Sequence, residues 1–313
     1  MLRVRVMSPA ETTGRLLRVL TAEPGVRNVV VWRGDARRPD GDAVEFDVRR
    51  GAANAVFGFL RSQGLDRPGA VTVGQADVVL AAPRDPVGDV GSPRREITPV
   101  WELVDATIRA QAVYAPSFFV LLTIAGLIAA VGILTNSQIL IVAAMVVGPE
   151  YSAIIAVALA IARRHRVGVR DGLVALSAGF AAAIIVTYLF TLAIHAAGLT
   201  PDQFVGGVRP VASLIAVPNA FSVIIAILAG IVGVVSLTES RANTLIGVFI
   251  SITTIPAAAG VGVFAALGSW HSALGSIEQL LLNVVLLMAV GAAGLRLQRL
   301  IWHRSTTRAA DRQ

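Results

Sequence analysis

The chain has 313 residues, of which 55% are hydrophobic and only 15% charged, and its formal charge is +7. All 27 basic residues are Arg and there is no Cys, which excludes a Walker-type phosphate lysine, a Schiff-base lysine, disulfides and thiolate metal sites. His165, His195, His271 and His303 are too scattered for ligand spacing, so neither a metal, a cofactor nor an enzymatic activity is expected.

These averages conceal a change of character near Pro116: the residues before it read as a soluble domain, those after it as membrane. Charge gathers at the ends of apolar runs, as burial in hydrocarbon requires, so the positive balance calls for no nucleic-acid partner. Leu2 to Met7 alternates Leu2, Val4 and Val6 with Arg3 and Arg5, which predicts a strand. A cleaved secretory signal is not expected there, and the N-terminal domain is placed in the cytoplasm. Ser8-Pro9-Ala10-Glu11 predicts a capping box that opens a helix with Leu16, Leu17 and Leu20 on its core face.

Val26 to Trp32 predicts a second strand, Gly34 to Asp42 a polar turn, and Ala43 to Val48 a third strand with Val44, Phe46 and Val48 on one face. A helix over Ala52 to Gln63 and a last strand over Val71 to Leu80 complete βαββαβ, the ferredoxin-like order, over residues 1–80. That fold serves assembly domains and ligand sensors alike. Residues 81–115 read as a Pro- and Gly-rich linker followed by an amphipathic helix opened by Thr98-Pro99. With Trp101, Val104, Ile108 and Ala112 on one stripe, that helix lies at the membrane interface or packs on the soluble domain.

Residues 116–300 read as a transmembrane domain of six spans, and residues 301–313 as a basic tail. About twenty apolar residues are needed per span. The runs are Ser117 to Thr135, Gln138 to Ala162, Leu173 to His195, Ala220 to Leu237, Thr244 to Leu267 and Ile277 to Leu297. Arg163, Arg164, Arg166 and Arg170 follow the second run, while Arg296, Arg299, Arg304, Arg308 and Arg312 close the chain. The positive-inside rule puts both groups, and both termini, on the cytoplasmic side of a cytoplasmic membrane. The opposite loops, around Asn136, from Ala196 to Val217 and from Gly268 to Ser276, hold only Asp202 and Arg209 as fixed charges.

Ala125 to Val131 in the first run is similar to Ala229 to Val235 in the fourth, and the runs that follow place an Asn and a Pro at one separation: Asn136 with Pro149, Asn243 with Pro256. Three crossings reverse direction, so such halves would form an inverted 3+3 repeat, an architecture in which solute sites form where broken helices meet at mid-membrane. Each Pro frees a carbonyl near Met145 or Ile252, and Ser251, Thr253 and Thr254 stand beside Pro256. The alternative is that both Pro residues merely kink helices packed through Gly126, Gly230, Gly233, Gly260 and Gly262.

Glu150, directly after Gly148-Pro149, favours a site. An acid near the middle of a span costs about 3 kcal/mol and is expected to face the bundle interior, protonated or paired. The candidate substrate- or ion-binding residues are therefore Glu150, Pro149, Asn136, Ser137, Tyr151, Asn243, Thr253, Thr254 and Pro256. Asn219, Asn283, Ser152, Ser236 and His195 are weaker candidates.

Gly132-Ile133-Leu134-Thr135-Asn136-Ser137 followed by Ala143-Ala144-Met145-Val146-Val147-Gly148-Pro149 resembles the signature of the prokaryotic "uncharacterised hydrophobic protein" family, domain of unknown function 389. Gly247 and Thr254-Ile255-Pro256 resemble its second Pro-containing span, although Pro256 stands alone where a Pro pair is expected. The similarity runs from about Pro116 to Leu267 and implies a multi-span fold with an internal duplication, but no settled activity.

Two functions follow from this reading. One is a transporter or channel for a small ion or polar solute. The other is a membrane-anchored sensor or scaffold whose N-terminal domain binds a cytoplasmic ligand or partner. In either case a lipid bilayer is one partner, and small-residue helix faces favour a homo-oligomer.

Overall fold

The computed structural model describes residues 1–65, 70–75, 104, 106, 108, 114–201, 217–238 and 254–310. They form two compact units, Met1–Ala106 and Thr107–Gln313.

In the first unit, strands β1 (Leu2–Ser8), β2 (Val26–Arg37), β3 (Asp40–Val48) and β4 (Val71–Gln75) alternate with helices α1 (Ala10–Ala22) and α2 (Arg50–Ser62). The sheet order is β2-β3-β1-β4, antiparallel throughout, which is the split βαβ arrangement the sequence predicts. Strand alternation sends Leu2, Val4, Val6, Val44, Phe46 and Val48 to one face, where Leu16, Leu20, Val56, Phe57 and Leu60 of the helices cover them. Leu17 is only partly buried at the margin of this core. On the other face, residues paired across β1 and β3 are joined by charge: Arg3 donates to Asp47 at 3.0 Å and Arg5 to Glu45 at 2.6 Å.

Two local expectations fail. Ser8 remains in β1, paired with Asp42, so its hydroxyl contacts that of Thr12 instead of a backbone N–H, and no capping box forms; Pro9 is itself the N-cap. The polar stretch from Gly34 to Asp42 is not a long turn, because β2 continues to Arg37 and β3 begins at Asp40. Polar composition misleads here: this end of the hairpin is largely exposed, and a bulge between Trp32 and Ala36 re-registers the two strands. The sequence placed the last strand up to Leu80, and its residues beyond Gln75 lie outside the described ones, as does the linker over 81–96. Of the amphipathic helix, Val104, Ala106 and Ile108 are described as helical, with Val104 and Ile108 buried.

The second unit is helical: α3 (Pro116–Leu134), α4 (Gln138–Val147), α5 (Glu150–Ala162), α6 (Arg166–Ala196), α7 (Ala220–Thr238), α8 (Ile255–Ala266) and α9 (Trp270–Ala310). By length and composition, α3, α6 and the Trp270–Leu300 part of α9 are able to cross a membrane, and α4 with α5 qualifies as one broken span bent by 54°. Ala220–Val235 and Ile255–Ala266 are shorter apolar helices. Two inter-span loops are shorter than the sequence suggested. The segment from Gly268 to Ser276 is mostly helix, since α9 starts at Trp270, and Arg166 and Arg170 lie in the first turns of α6, whose N-cap His165 accepts the Gly168 N–H at 3.1 Å. Polar residues near a helix end read as loop, yet Ser276 lies within α9, where its hydroxyl donates to the Ser272 carbonyl at 2.9 Å.

Small residues set the helix spacing. A Cβ on Gly262 of α8 would strike Thr187 Oγ1 and the backbone of Ile184 and Tyr188 in α6, so the two backbones nearly touch. Gly126 of α3 packs on Ala183 and Thr187 of the same helix, and Gly230 of α7 on Val290 of α9.

One consequence concerns pH. Hydrogen bonds from Arg3 and Asn28 hold the Asp47 carboxyl below the ordinary carboxylate range, and bonds from Thr13 and the Gly34 N–H do the same for Asp42. Carboxyls depressed on folding contribute stability above the unfolded value, near pH 4, which is lost as pH falls through the folded values. Hydrogen exchange on the full chain is expected to show β1 and β3 losing protection below about pH 4, with Asp47→Asn reducing the pH dependence. Identical acid sensitivity in that variant would refute this assignment.

Candidate functional site

The centre of the second unit is a break in the backbone. The residue before a proline is driven to extended geometry, and Gly148 adopts it, with φ −67° and ψ 128°. Gly148 N–H still closes α4 on the Ala144 carbonyl at 3.2 Å, and Pro149, which has no N–H to satisfy, serves as the N-cap of α5. The run from Gln138 to Ala162, for which the sequence left a broken and a kinked helix open, is two helices.

Glu150 is thereby the first residue of α5, and it is fully buried. A carboxyl at a helix N-terminus sits at the positive end of the helix dipole, where negative charge is stabilised. A second helix begins beside it. Thr254, also fully buried, is the N-cap of α8, in which Pro256 occupies the first turn. An N-cap threonine ordinarily accepts an N–H of its own helix. Here Thr254 makes no such bond and instead donates its hydroxyl to Glu150 Oε1 at 3.0 Å. Gly148 makes room for the pair, since a Cβ there would collide with Ile255 Cδ1 and the Glu150 carboxyl.

From this junction the two helices depart toward opposite ends of α9. The C-terminus of α5 is held by Arg296, which donates to the Ile161 carbonyl at 2.7 Å and the Ala162 carbonyl at 3.4 Å. The C-terminus of α8 leads through a turn at Leu267 and Gly268 to the start of α9 at Trp270. Two short helices thus meet at their N-termini, each headed by a proline and joined by a carboxyl and a hydroxyl.

The other predicted residues divide sharply. Tyr151 donates its hydroxyl to the Gly233 carbonyl at 3.2 Å, tying α5 to α7, and Ser152 donates to the Pro149 carbonyl at 2.8 Å, closing the first turn. Asn136 and Ser137 are not at the junction. Asn136, at φ 53°, is the left-handed residue that ends α3, with Ser137 N–H reaching back to the Gly132 carbonyl at 2.8 Å. The Ser137 hydroxyl accepts the Leu140 N–H at 3.4 Å as the N-cap of α4. The length of α4, about 15 Å at 1.5 Å per residue, separates this turn from Glu150. Asn243, Thr253, Ser251 and Ile252 lie outside the described residues.

Among the weaker candidates, Asn219 accepts the Ser222 N–H at 3.0 Å at the start of α7, and His195 contacts Thr200 at 3.1 Å at the end of α6, so both serve helix ends. Two features were missed in the sequence: the steric role of Gly148, and Gln279, buried on α9 with Asn283. The spacing of Ser276, Gln279 and Asn283 was the available signal, because it lines up three polar residues on one helix face. Among the described residues, no three His, Cys, Asp or Glu side chains cluster as metal ligands.

A bundle of apolar helices that buries an acid at a helix break is the pattern of a polytopic helical membrane protein. Residues 145–289 match the family model described as Domain of unknown function (DUF389), the family that the sequence motifs resemble. The match contains Glu150, Thr254 and both prolines, whereas the Gly132 to Ser137 motif precedes it. No curated protein and no solved structure matches the chain.

Gly148→Ala is expected to lower the stability of the detergent-purified protein by about 1–3 kcal/mol, because the added methyl has nowhere to go. Thr254→Val, which removes the donor to a buried carboxyl, should cost a similar amount, about 1–3 kcal/mol, and Thr254→Ser should recover most of it. Melting curves decide both. A Thr254→Val protein as stable as the parent would mean that the hydroxyl contributes nothing.

Proposed function

We propose that this chain is a transporter or channel for a small ion or polar solute in a cytoplasmic membrane, with its site where the two proline-headed helices meet. The observation that carries this reading is the hydrogen bond between Thr254 and Glu150, which joins the N-termini of α5 and α8 in the bundle interior. Helix termini facing one another at mid-bundle, with irregular backbone beside them, are the means by which secondary transporters present polar groups to a solute within a bilayer. An acid held in such a place is functional by default.

The same reading takes the transmembrane domain as six spans in an inverted 3+3 repeat with both termini in the cytoplasm. It is supported by the departure of α5 and α8 toward opposite ends of α9, and by the meeting of Arg296 with the end of α5 next to Arg163 and Arg164, which gathers arginines at one end of the bundle. Exposed apolar residues such as Phe221, Ile224, Leu228 and Ile231 cover much of α7, which suits contact with lipid or with another copy in a homo-oligomer.

The test is flux in proteoliposomes containing the full chain, measured for protons, alkali cations, halides and small polyols. At least one of these is expected to exceed empty liposomes and to fall tenfold or more with Glu150→Gln. If every solute moved only at the empty-liposome rate, the proposal would fail, and ligand binding by the N-terminal domain would then favour the sensor or scaffold. Flux that ignores Glu150→Gln would remove this carboxyl from the pathway.

A further inference from the structure

Helix α9 carries a second buried polar group. Ser276, Gln279 and Asn283 form one stripe on it, and all three are buried, Gln279 at 5% and Asn283 at 0% exposure. Gln279 Nε2 donates to Asn283 Oδ1 at 3.2 Å, whereas Gln279 Oε1 is buried and receives no hydrogen bond among the described residues. Native interiors rarely leave such an oxygen unused, since desolvating an acceptor without giving it a partner opposes folding.

The depth of this pair follows from two independent registers. Arg296 meets Ala162 at a sequence offset of 134, and Gly291 lies against Ala158 and Ile155, so α5 and α9 run side by side in the same direction. Carrying that offset back to Glu150 leads to Val284, next to Asn283. On the other side, α8 and α9 form a helical hairpin around Gly268, and Asn283 stands about as far after that turn as Thr254 stands before it. With equal rise per residue in both helices, Asn283 is level with the Glu150 and Thr254 junction, and Gln279 lies about one turn away.

We propose that Gln279 and Asn283 form the α9 wall of a monovalent-cation site whose negative charge is the Glu150 carboxylate. The proposal rests on the reading that the junction binds a solute, and it names the class. Glu150 is the one fully buried ionisable side chain among the described residues of this unit. One carboxylate among neutral amide and hydroxyl donors gives this ligand set a single negative charge, which a monovalent cation matches and a divalent ion exceeds. Carboxylate, amide carbonyl and hydroxyl are hard oxygen donors, suited to an alkali cation and not to a soft metal. Na+ is the probe.

The experiment is equilibrium binding of radioactive sodium to the full-length protein in detergent, with N-methylglucamine chloride as the background salt, alongside flux in proteoliposomes. Saturable binding is expected, displaced by Li+ at lower concentration than by Mg2+. Gln279→Met, close in shape but lacking the carbonyl, should weaken it at least tenfold, Glu150→Gln should abolish it, and Ser276→Ala should leave it intact. Gln279→Glu provides a second check should the Met variant not fold: adding a carboxylate should turn the preference toward Mg2+ or Ca2+. No saturable sodium binding by the parent protein, or parental affinity in Gln279→Met, or unaltered ion preference in Gln279→Glu, overturns the proposal. Sodium binding without flux would keep this site and discard the transport function, whereas flux with parental sodium affinity in Gln279→Met would do the reverse.

Discussion

A carboxyl in an apolar helical bundle is tolerable only where the backbone itself makes room and charge for it, and the contact between Glu150 and Thr254 is where this chain meets that condition. Insertion of an acid at the centre of a membrane span costs about 3 kcal/mol. Three local features offset the cost: the dipole of α5, which begins at Glu150; the hydroxyl of Thr254, which donates at 3.0 Å; and the space left by a residue without a side chain at Gly148. Each depends on the helix break. Were α4 and α5 continuous, Glu150 would lie in mid-helix with no free N-terminus, and Thr254 would have no reason to turn away from its own helix.

The rest of the bundle holds that break in place. The far end of α5 is bound by Arg296, whose guanidinium takes the last carbonyls of the helix in the manner expected of a cation at a C-terminus. Its near end is tied through Tyr151 to the Gly233 carbonyl of α7. Helix α8 is fastened differently, through Gly262 pressed on the backbone of α6 at Ile184 and Tyr188. Polar contacts anchor one half-helix and close apolar packing the other, and the junction between them is where the two sets of constraints meet.

The N-terminal unit is governed by simpler rules, which is why it was legible. Period-two alternation in Leu2 to Met7 and Ala43 to Val48 assigns faces without ambiguity, and the observed pairing of Arg3 with Asp47 and Arg5 with Glu45 follows once those strands are neighbours. The errors arose where one local signal competes with a longer-range one. Ser8 has the composition of a cap, but its backbone is committed to the ladder with Asp42; the residues from Gly34 to Asp42 have the composition of a turn, but β2 and β3 extend the hairpin into solvent, where polar side chains are compatible with strand.

In the membrane-like unit the sequence by itself determined the existence of the apolar runs, the interruption at Pro149 and the presence of an acid beside it, because hydrophobic length, a missing N–H and an ionisable side chain are properties of the residues themselves. It did not determine which polar residues share a place. Asn136 and Pro149 repeat the spacing of Asn243 and Pro256, yet Asn136 closes a turn one helix away from Glu150, while Thr254, distant by 104 positions, donates to it. Gln279 was passed over for the same reason. Distances between helices depend on how closely their surfaces approach, and that is set by pairs such as Gly262 with Thr187 or Gly291 with Ala158, which no spacing along a single chain reveals.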